Sequence, residues 1–248
     1  MADQVAVRIA AAQLSGLSRV RTVVAASPFT GLVKPGGPEH AHYVVAERPG
    51  APVSDLGNSL EVLRAAFPPG PIRFELVDEA CPGAVDALLA AGLTTVGRYP
   101  LLTLDITELV EVPTPDGATV RVAKTKQDAV DSDRVASAAF GSPPGDPDAP
   151  GEPTSGGSVL AIMDGRPVAT AFWTAVADGV TEIAGVATDD GHRRRGLGAA
   201  VTAAAVRAAA DLAGATLAWM TPGHDGADRI YRSVGFAPTA NAVHLTTG

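Results

Sequence analysis

Apolar runs punctuated by Asp-Gly pairs mark out the second half of the chain. Ser158–Met163 is apolar and rich in β-formers, and Asp164-Gly165 follows it. Pro167–Ala177 is apolar again and ends at Asp178-Gly179, after which comes Val180–Thr188. Asp-Gly between two apolar runs favours a type I′ turn, whose two central residues both take positive φ. The three runs therefore predict a three-strand antiparallel meander. Ahead of it, Val120–Ala123 predicts a short strand, and Gln127–Phe140 has helical spacing. Behind it, Leu197, Val201, Ala204, Ala208 and Leu212 fall on one helical face, which predicts a helix over Gly196–Ala213 closed by Gly214. Ala215–Met220 then predicts a strand, Asp225–Val234 a helix closed by Gly235, and Ala242–Thr246 a last short strand.

The first half has a plainer pattern. Val5–Ser27 is Ala-rich and predicts helix. Strands are predicted at Tyr43–Glu47, Ile72–Val77 and Tyr99–Ile106 (the last broken near Pro100), and helices at Leu56–Phe67 and Pro82–Ala91. Two segments read as breaks. Thr114–Gly117, beside Pro113, reads as a linker, and Gly141–Gly157 is dense enough in Gly, Pro, Asp and Ser to read as a long mobile loop. A faint repeat lays Gly83–Leu93 on Gly226–Phe236, each segment following an apolar strand.

Composition bounds the function classes. The chain has 248 residues, 46% of them hydrophobic and only 4% aromatic, so its core must be built from Ala, Val, Leu and Ile. Lys and Arg number 19 against 27 Asp and Glu, a formal charge of −8. That disfavours general nucleic-acid binding, which rests on neutralising phosphates. The single cysteine, Cys81, excludes an intrachain disulfide and a cysteine-clustered metal site, and a reducing, cytoplasmic setting is expected. Met1–Gln13 lacks a secretory pattern and no apolar run is long enough to span a membrane, so no membrane association is expected.

The densest chemistry lies between the meander and the long helix. There, Val186-Ala187-Thr188 ends a strand, Arg193-Arg194-Arg195 follows, and Gly196-Leu197-Gly198-Ala199 opens the helix. Glycines let backbone approach a ligand, and a helix start offers unpaired N–H groups and the positive end of the macrodipole. With three arginines this predicts a phosphate or pyrophosphate site. A dinucleotide fingerprint fails at its sixth position, Val201, and the Gly-Lys-Ser/Thr ending of a P-loop is absent.

Arg193-x-x-Gly196-x-Gly198, placed between a meander and an amphipathic helix, and Tyr231-x-x-x-Gly235-Phe236 after a strand and helix, resemble the GNAT superfamily of acyl-CoA-dependent N-acyltransferases. The resemblance covers roughly Val120 to Leu245. It implies an α/β (α+β) fold with a mixed, mostly antiparallel twisted sheet flanked by helices. It also implies acetyl-CoA as co-substrate. Backbone groups of Val186, Ala187 and Thr188 would pair with the pantetheine arm, and the segment from Arg193 through Arg194, Arg195, Gly196, Leu197 and Gly198 to Ala199 would hold the pyrophosphate. Tyr231 would protonate the departing thiolate. Glu182, at the spacing that histone-acetylating relatives use, would be the general base, with a water relay as the alternative. Strict alternation puts Glu182, Ala184, Val186 and Thr188 on one face, and the N–H of Val186 is a candidate oxyanion donor. Many family members carry Asn where this chain has His224, which leaves His224 to cap the helix or face solvent.

The expected organisation is a degenerate GNAT-like lobe over 1–112, without the cofactor signature, and a catalytic domain over 118–248. The expected reaction is acetyl transfer to a primary amine on a small molecule or peptide; the alternative is a non-catalytic acyl-CoA-binding or regulatory protein. A homodimer is left open. Other candidates carry less. His40-x-His42 has no third ligand nearby, so no metal is expected. Cys81 is expected to be structural. Trp219 either lines the acceptor pocket or packs in the core. Asp146, Asp148 and Glu152 in the long loop suit a cationic amine as well as solubility.

Overall fold

The computed structural model describes residues 3–37, 41–143 and 156–248. Packing divides the chain into two units, Met1–Leu101 with Pro238–Gly248, and Leu102–Ala237. The break expected between 112 and 118 would leave the last strand with the second unit; packing groups it with the first.

The first unit opens with helix α1 (Gln4–Leu17), whose N-terminal N–H groups at Val5 and Ala6 donate to the Asp3 carboxylate. Helix was predicted to continue to Ser27, but α1 ends at Leu17 and a hairpin follows, strands β1 (Thr22–Ala26) and β2 (Phe29–Val33). Thr22, Val23 and Val24 are β-branched, and they override the alanines around them. Then come β3 (Tyr43–Ala46), α2 (Ser59–Ala66), β4 (Arg73–Val77), α3 (Ala84–Ala90) and β5 (Thr94–Asp105). β5 runs through Pro100 without the expected break. The strand order is β1-β2-β3-β4-β11-β5, where β11 is the final strand (Ala237–Thr246). β3 and β4 pair parallel; β1–β2, β2–β3 and β4–β11 are antiparallel. Phe29, Val44, Leu63, Phe74, Leu88 and Leu245 lie in its core, with Phe29 and Phe74 edge-to-face at 5.2 Å.

The second unit follows the predicted order: β6 (Ala118–Val122), α4 (Lys126–Phe140), β7 (Gly157–Met163), β8 (Arg166–Trp173), β9 (Val180–Thr188), α5 (Leu197–Ala213), β10 (Leu217–Met220) and α6 (Asp225–Val234). Its strand order is β5-β10-β9-β8-β7-β6. Asp164 and Gly165 have φ of 50° and 73°, and Asp178 and Gly179 have 50° and 72°, the positive pairs that type I′ turns need. A capping box between Thr125 and Asp128 starts α4, and the Arg121 guanidinium grips the same carboxylate at 2.5 and 3.0 Å. These bonds hold Asp128 well below the ordinary carboxylate range.

Nine alanines and two valines make α5 slim, so it lies close on β7, β8 and β9. Leu197, Val201, Ala205, Val206, Ala208 and Ala209 are buried on it. Leu212, expected on the same stripe, is 66% exposed, because the burial of this helix stops at Ala209. The fold is therefore mixed α/β, with a mostly antiparallel sheet and helices packed on it. Among the described residues, no helix is long and apolar enough to cross a membrane.

Candidate active site

The site begins where two parallel strands part. β9 and β10 are in register at Val180/Leu217, Thr181/Ala218 and Glu182/Trp219, and the ladder ends there. β9 continues to Thr188 while β10 stops at Met220. Beyond Glu182, one edge of β9 pairs with β8 and the other faces the opening left by β10. A strand edge of this kind offers N–H and C=O groups to an extended ligand, as in strand addition. Val186, Ala187 and Thr188 lie on this stretch.

The register to β8 shifts between Thr170/Ala187 and Phe172/Ala184, so β9 carries a bulge at Gly185 and Val186. Gly185 sits at φ 58°, and a Cβ there would lie 2.1 Å from Phe172 Cε1. Only glycine fits beneath that ring. The bulge corrects the strict alternation expected for β9. Glu182 and Ala184 share a face with Ala187, whereas Thr188 falls on the face of Ile183. Val186 lies within the bulge and so leaves the regular alternation that carries Glu182.

After Thr188 a short 3-10 turn (Asp190–His192) reverses the chain, pinned by Asp189 N–H to the Val168 carbonyl at 2.8 Å. Arg194 and Gly196 both take left-handed backbone, φ 62° and 82°, on either side of Arg195. For arginine this conformation costs on the order of 1–3 kcal/mol, and such strain concentrates at functional sites. Left-handed residues in a turn can direct neighbouring backbone N–H groups towards one point, which makes this turn a candidate anion-binding nest. The nest leads directly into the first turn of α5, whose dipole adds positive potential. Gly198 in that turn has room for a Cβ, whose nearest neighbour would be Ile230 Cδ1 at 3.6 Å. Internal packing does not demand glycine there.

The three arginines part company. Arg193 turns back on its own loop, with Nη2 2.8 Å from Asp190 and Nε donating to the Thr188 carbonyl at 3.4 Å. Arg194 and Arg195 are exposed beside the nest.

α6 brings Tyr231 to this end of the unit. The helix packs on α5, and its Ile230 lies against Gly198. The Tyr231 ring is buried, edge-on to Phe236 at 6.5 Å, and burial pushes its phenol up to about 12. It therefore keeps its proton across the neutral range. His224 caps α6, with Nδ1 accepting the Ala227 N–H at 3.2 Å, which requires the proton on Nε2.

Trp219 is buried on β10 beside Glu182, outside the apolar cluster that forms the core of this unit. Phe172 and Gly185 were missed from sequence. The usable signal was a lone glycine inside a β-rich run, which marks a bulge or a close approach. Cys81 is buried, its thiol donating to the Val77 carbonyl at 3.1 Å, and burial pushes it up to about 12, so it is an unreactive core group. In the His pair, His42 uses both ring nitrogens, accepting from the Lys34 N–H and meeting the Gly37 carbonyl, each at 3.1 Å. His40, Asp146, Asp148 and Glu152 lie outside the described residues, as does most of the Gly141–Gly157 segment.

The profile of the Acetyltransferase (GNAT) family matches residues 130–236. No curated protein matches the chain. Among solved structures, a GCN5-related N-acetyltransferase from Kribbella flavida is 44% identical over 98% of this chain and 95% of its own, with a TM-score of 0.88. A tandem GNAT protein from the clavulanic acid biosynthesis pathway is 13% identical, covers 88% of this chain and 78% of its own, and has a TM-score of 0.60. A GCN5-related N-acetyltransferase from Sphaerobacter thermophilus is 17% identical, covering 76% of this chain and 64% of its own at a TM-score of 0.54. The last two show likeness of fold. With a parted parallel strand pair, a bulge and a nest at a helix start, and with a relative 44% identical across nearly its whole length, the chain belongs to the GNAT family of acetyltransferases.

Proposed function

We propose that the second unit transfers an acetyl group from acetyl-CoA to a primary amine by direct attack within a ternary complex. One observation carries the reading most. The β9/β10 opening at Glu182 runs along a free strand edge straight into the Arg194–Gly196 nest at the start of α5. An extended pantetheine arm ending in a pyrophosphate has that shape and charge order. Val186, Ala187 and Thr188 would pair with the arm. N–H groups from Arg194 through Arg195, Gly196, Leu197 and Gly198 to Ala199 would take the pyrophosphate, with the Arg194 and Arg195 guanidinium groups beside it. Arg193 serves this site through its pair with Asp190, which braces the loop.

In the reaction, Glu182 takes a proton from the ammonium, directly or through a water. The amine nitrogen forms a bond to the acetyl carbon, and the carbonyl oxygen gains negative charge opposite the Val186 N–H. The carbon–sulfur bond then breaks, the electron pair leaves on sulfur, and the nitrogen gives up its second proton to water as the neutral amide forms. Tyr231 meets that sulfur. A phenol near 12 is a weaker acid than an ordinary thiol at ~8.5, so it stabilises the thiolate by hydrogen bonding more than by complete transfer.

The first unit reads as a degenerate copy of the same fold. Its parallel pair, β3–β4, is followed by α3 as β9–β10 is followed by α6. The two helices end alike: Leu93 N–H donates to Leu88 and Gly92 to Leu89, as Phe236 donates to Tyr231 and Gly235 to Arg232. Leu88 thus occupies the place of Tyr231. In Arg48–Val53, where a cofactor turn would fall, the Gly50 and Val53 N–H groups donate to the Ala80 and Pro82 carbonyls at 2.7 and 2.8 Å. Donors spent on the fold do not hold a phosphate, so this unit binds no acyl-CoA there.

A cytoplasmic setting fits the single buried thiol. The test of function is release of free CoA thiol from acetyl-CoA with a panel of primary amines. Amine-dependent release supports the reading, and its absence with every amine contradicts it.

A further inference from the structure

Phe172 is an anomaly in its strand. It lies on β8, with β7 and β9 paired on either side, and its neighbours Ala171 and Trp173 are buried, yet its ring is 38% exposed. A single exposed apolar residue is ordinary on a protein surface, so exposure by itself gives the ring no role; its surroundings do. Its partners in register are small, Ser158 on β7 and Ala184 on β9, and its edge rests on the bare backbone of Gly185. The ring therefore stands over a low floor at the bulge.

Its position relative to Glu182 gives it a use. Phe172 is directly opposite Ala184, so Glu182, two residues earlier on β9, is its diagonal neighbour on the same face, about 7–8 Å away between backbones and within reach of an aromatic ring. On the other flank of Glu182, Trp219 is its register partner on β10 and shares that face. One carboxylate is thus set between two aromatic side chains from the two adjoining strands. An ammonium bound there gains charge attraction from the carboxylate and from the ring faces, while the carbon next to the nitrogen meets apolar surface.

We propose that Phe172 determines acceptor specificity, forming with Trp219 an apolar wall beside Glu182 that selects primary amines carried on an aliphatic or aromatic skeleton over amines bearing polar or charged groups close to the nitrogen. This rests on the acetyl-transfer reading above and adds the class of acceptor to it.

The test compares kcat/KM for phenethylamine and hexylamine with that for ethanolamine and putrescine, in the full chain and in Phe172→Ala and Phe172→Leu. Acetyl-CoA affinity by calorimetry and Tm are measured alongside. The intact protein prefers the apolar amines by about tenfold or more, the size of effect that small apolar contacts give in a pocket. Phe172→Ala removes that preference, mainly through KM, and leaves acetyl-CoA affinity unchanged. Phe172→Leu keeps part of it, and carries the test should the alanine variant not fold. A preference near one in the intact protein, or an equal loss for all four amines, overturns the role of Phe172 while leaving acetyl transfer standing. Binding of acetyl-CoA without turnover of any amine overturns the acetyl-transfer reading and this inference together.

Discussion

Glu182 and Trp219 are the last pair in the parallel ladder between β9 and β10. Everything assigned to acyl transfer lies on the open side of that pair. The carboxylate stands at the closed end, and the nest at Arg194 and Gly196 follows the far end of β9. If Glu182 is the base, Glu182→Gln keeps the shape and removes the proton acceptor. The expected outcome is a fall in kcat of about 10²–10⁴, with acetyl-CoA affinity within twofold, measured by steady-state thiol release and calorimetry. An unchanged kcat would assign the proton to a water relay.

Tyr231→Phe removes one oxygen from a buried ring and keeps its packing on Phe236. The expected loss is about tenfold or more in kcat, with KM for the amine nearly unchanged. Because burial pushes the phenol up to about 12, the intact enzyme loses no rate through Tyr231 ionisation below about pH 10. A pH–rate profile in both proteins checks this.

The first unit carries a pH-dependent element apart from the reaction. Glu75 on β4 is half-buried, opposite His244 on β11, and desolvation raises its carboxyl to about 7 against the lowering pull of Arg73 and Arg21. The same burial, with Arg73, lowers His244, whose ring packs on Tyr99 at 5.2 Å. A carboxyl raised in the folded state binds its proton more tightly there than in the unfolded chain. Its contribution to stability is therefore greatest below about pH 4.5, declines as pH rises to about 7, and is constant above. Glu75→Gln removes that decline. Relative to the parent, the variant gains on the order of 3 kcal/mol between pH 4 and pH 8, measured by denaturant unfolding at each pH. Parallel curves would contradict the assignment.

His224 caps α6 through a ring nitrogen. His224→Ala is expected to cost about 1 kcal/mol and to loosen the helix that carries Tyr231, whereas His224→Asn, a stronger capping residue, retains or raises stability. Thermal unfolding of the two variants separates this capping role from a chemical one, which would lower kcat in both.

Much of the second unit was legible in the sequence because local chemistry fixed it. The Asp-Gly turns set the meander, Arg193 to Gly198 marked the turn into α5, and Tyr231 to Phe236 ended a helix in a recognisable way. The hidden parts depend on relations between strands. The bulge at Gly185 reassigns the faces of β9, and no alternation within one strand reveals it. Phe172 gains meaning only from its register with Ala184. The β1–β2 hairpin was hidden by alanine, which lent a helical reading to a segment that its β-branched residues take into a sheet.

The most direct test of the account is calorimetric titration with acetyl-CoA of the intact protein and of the Arg194→Ala, Gly196→Asp double variant. The account expects micromolar binding at one site per chain in the intact protein, and its loss in a variant that remains folded, with a Tm lowered by the side chain at left-handed Gly196. Absence of binding in a folded intact protein, or undiminished binding in the variant, would contradict the placement of the cofactor at the nest.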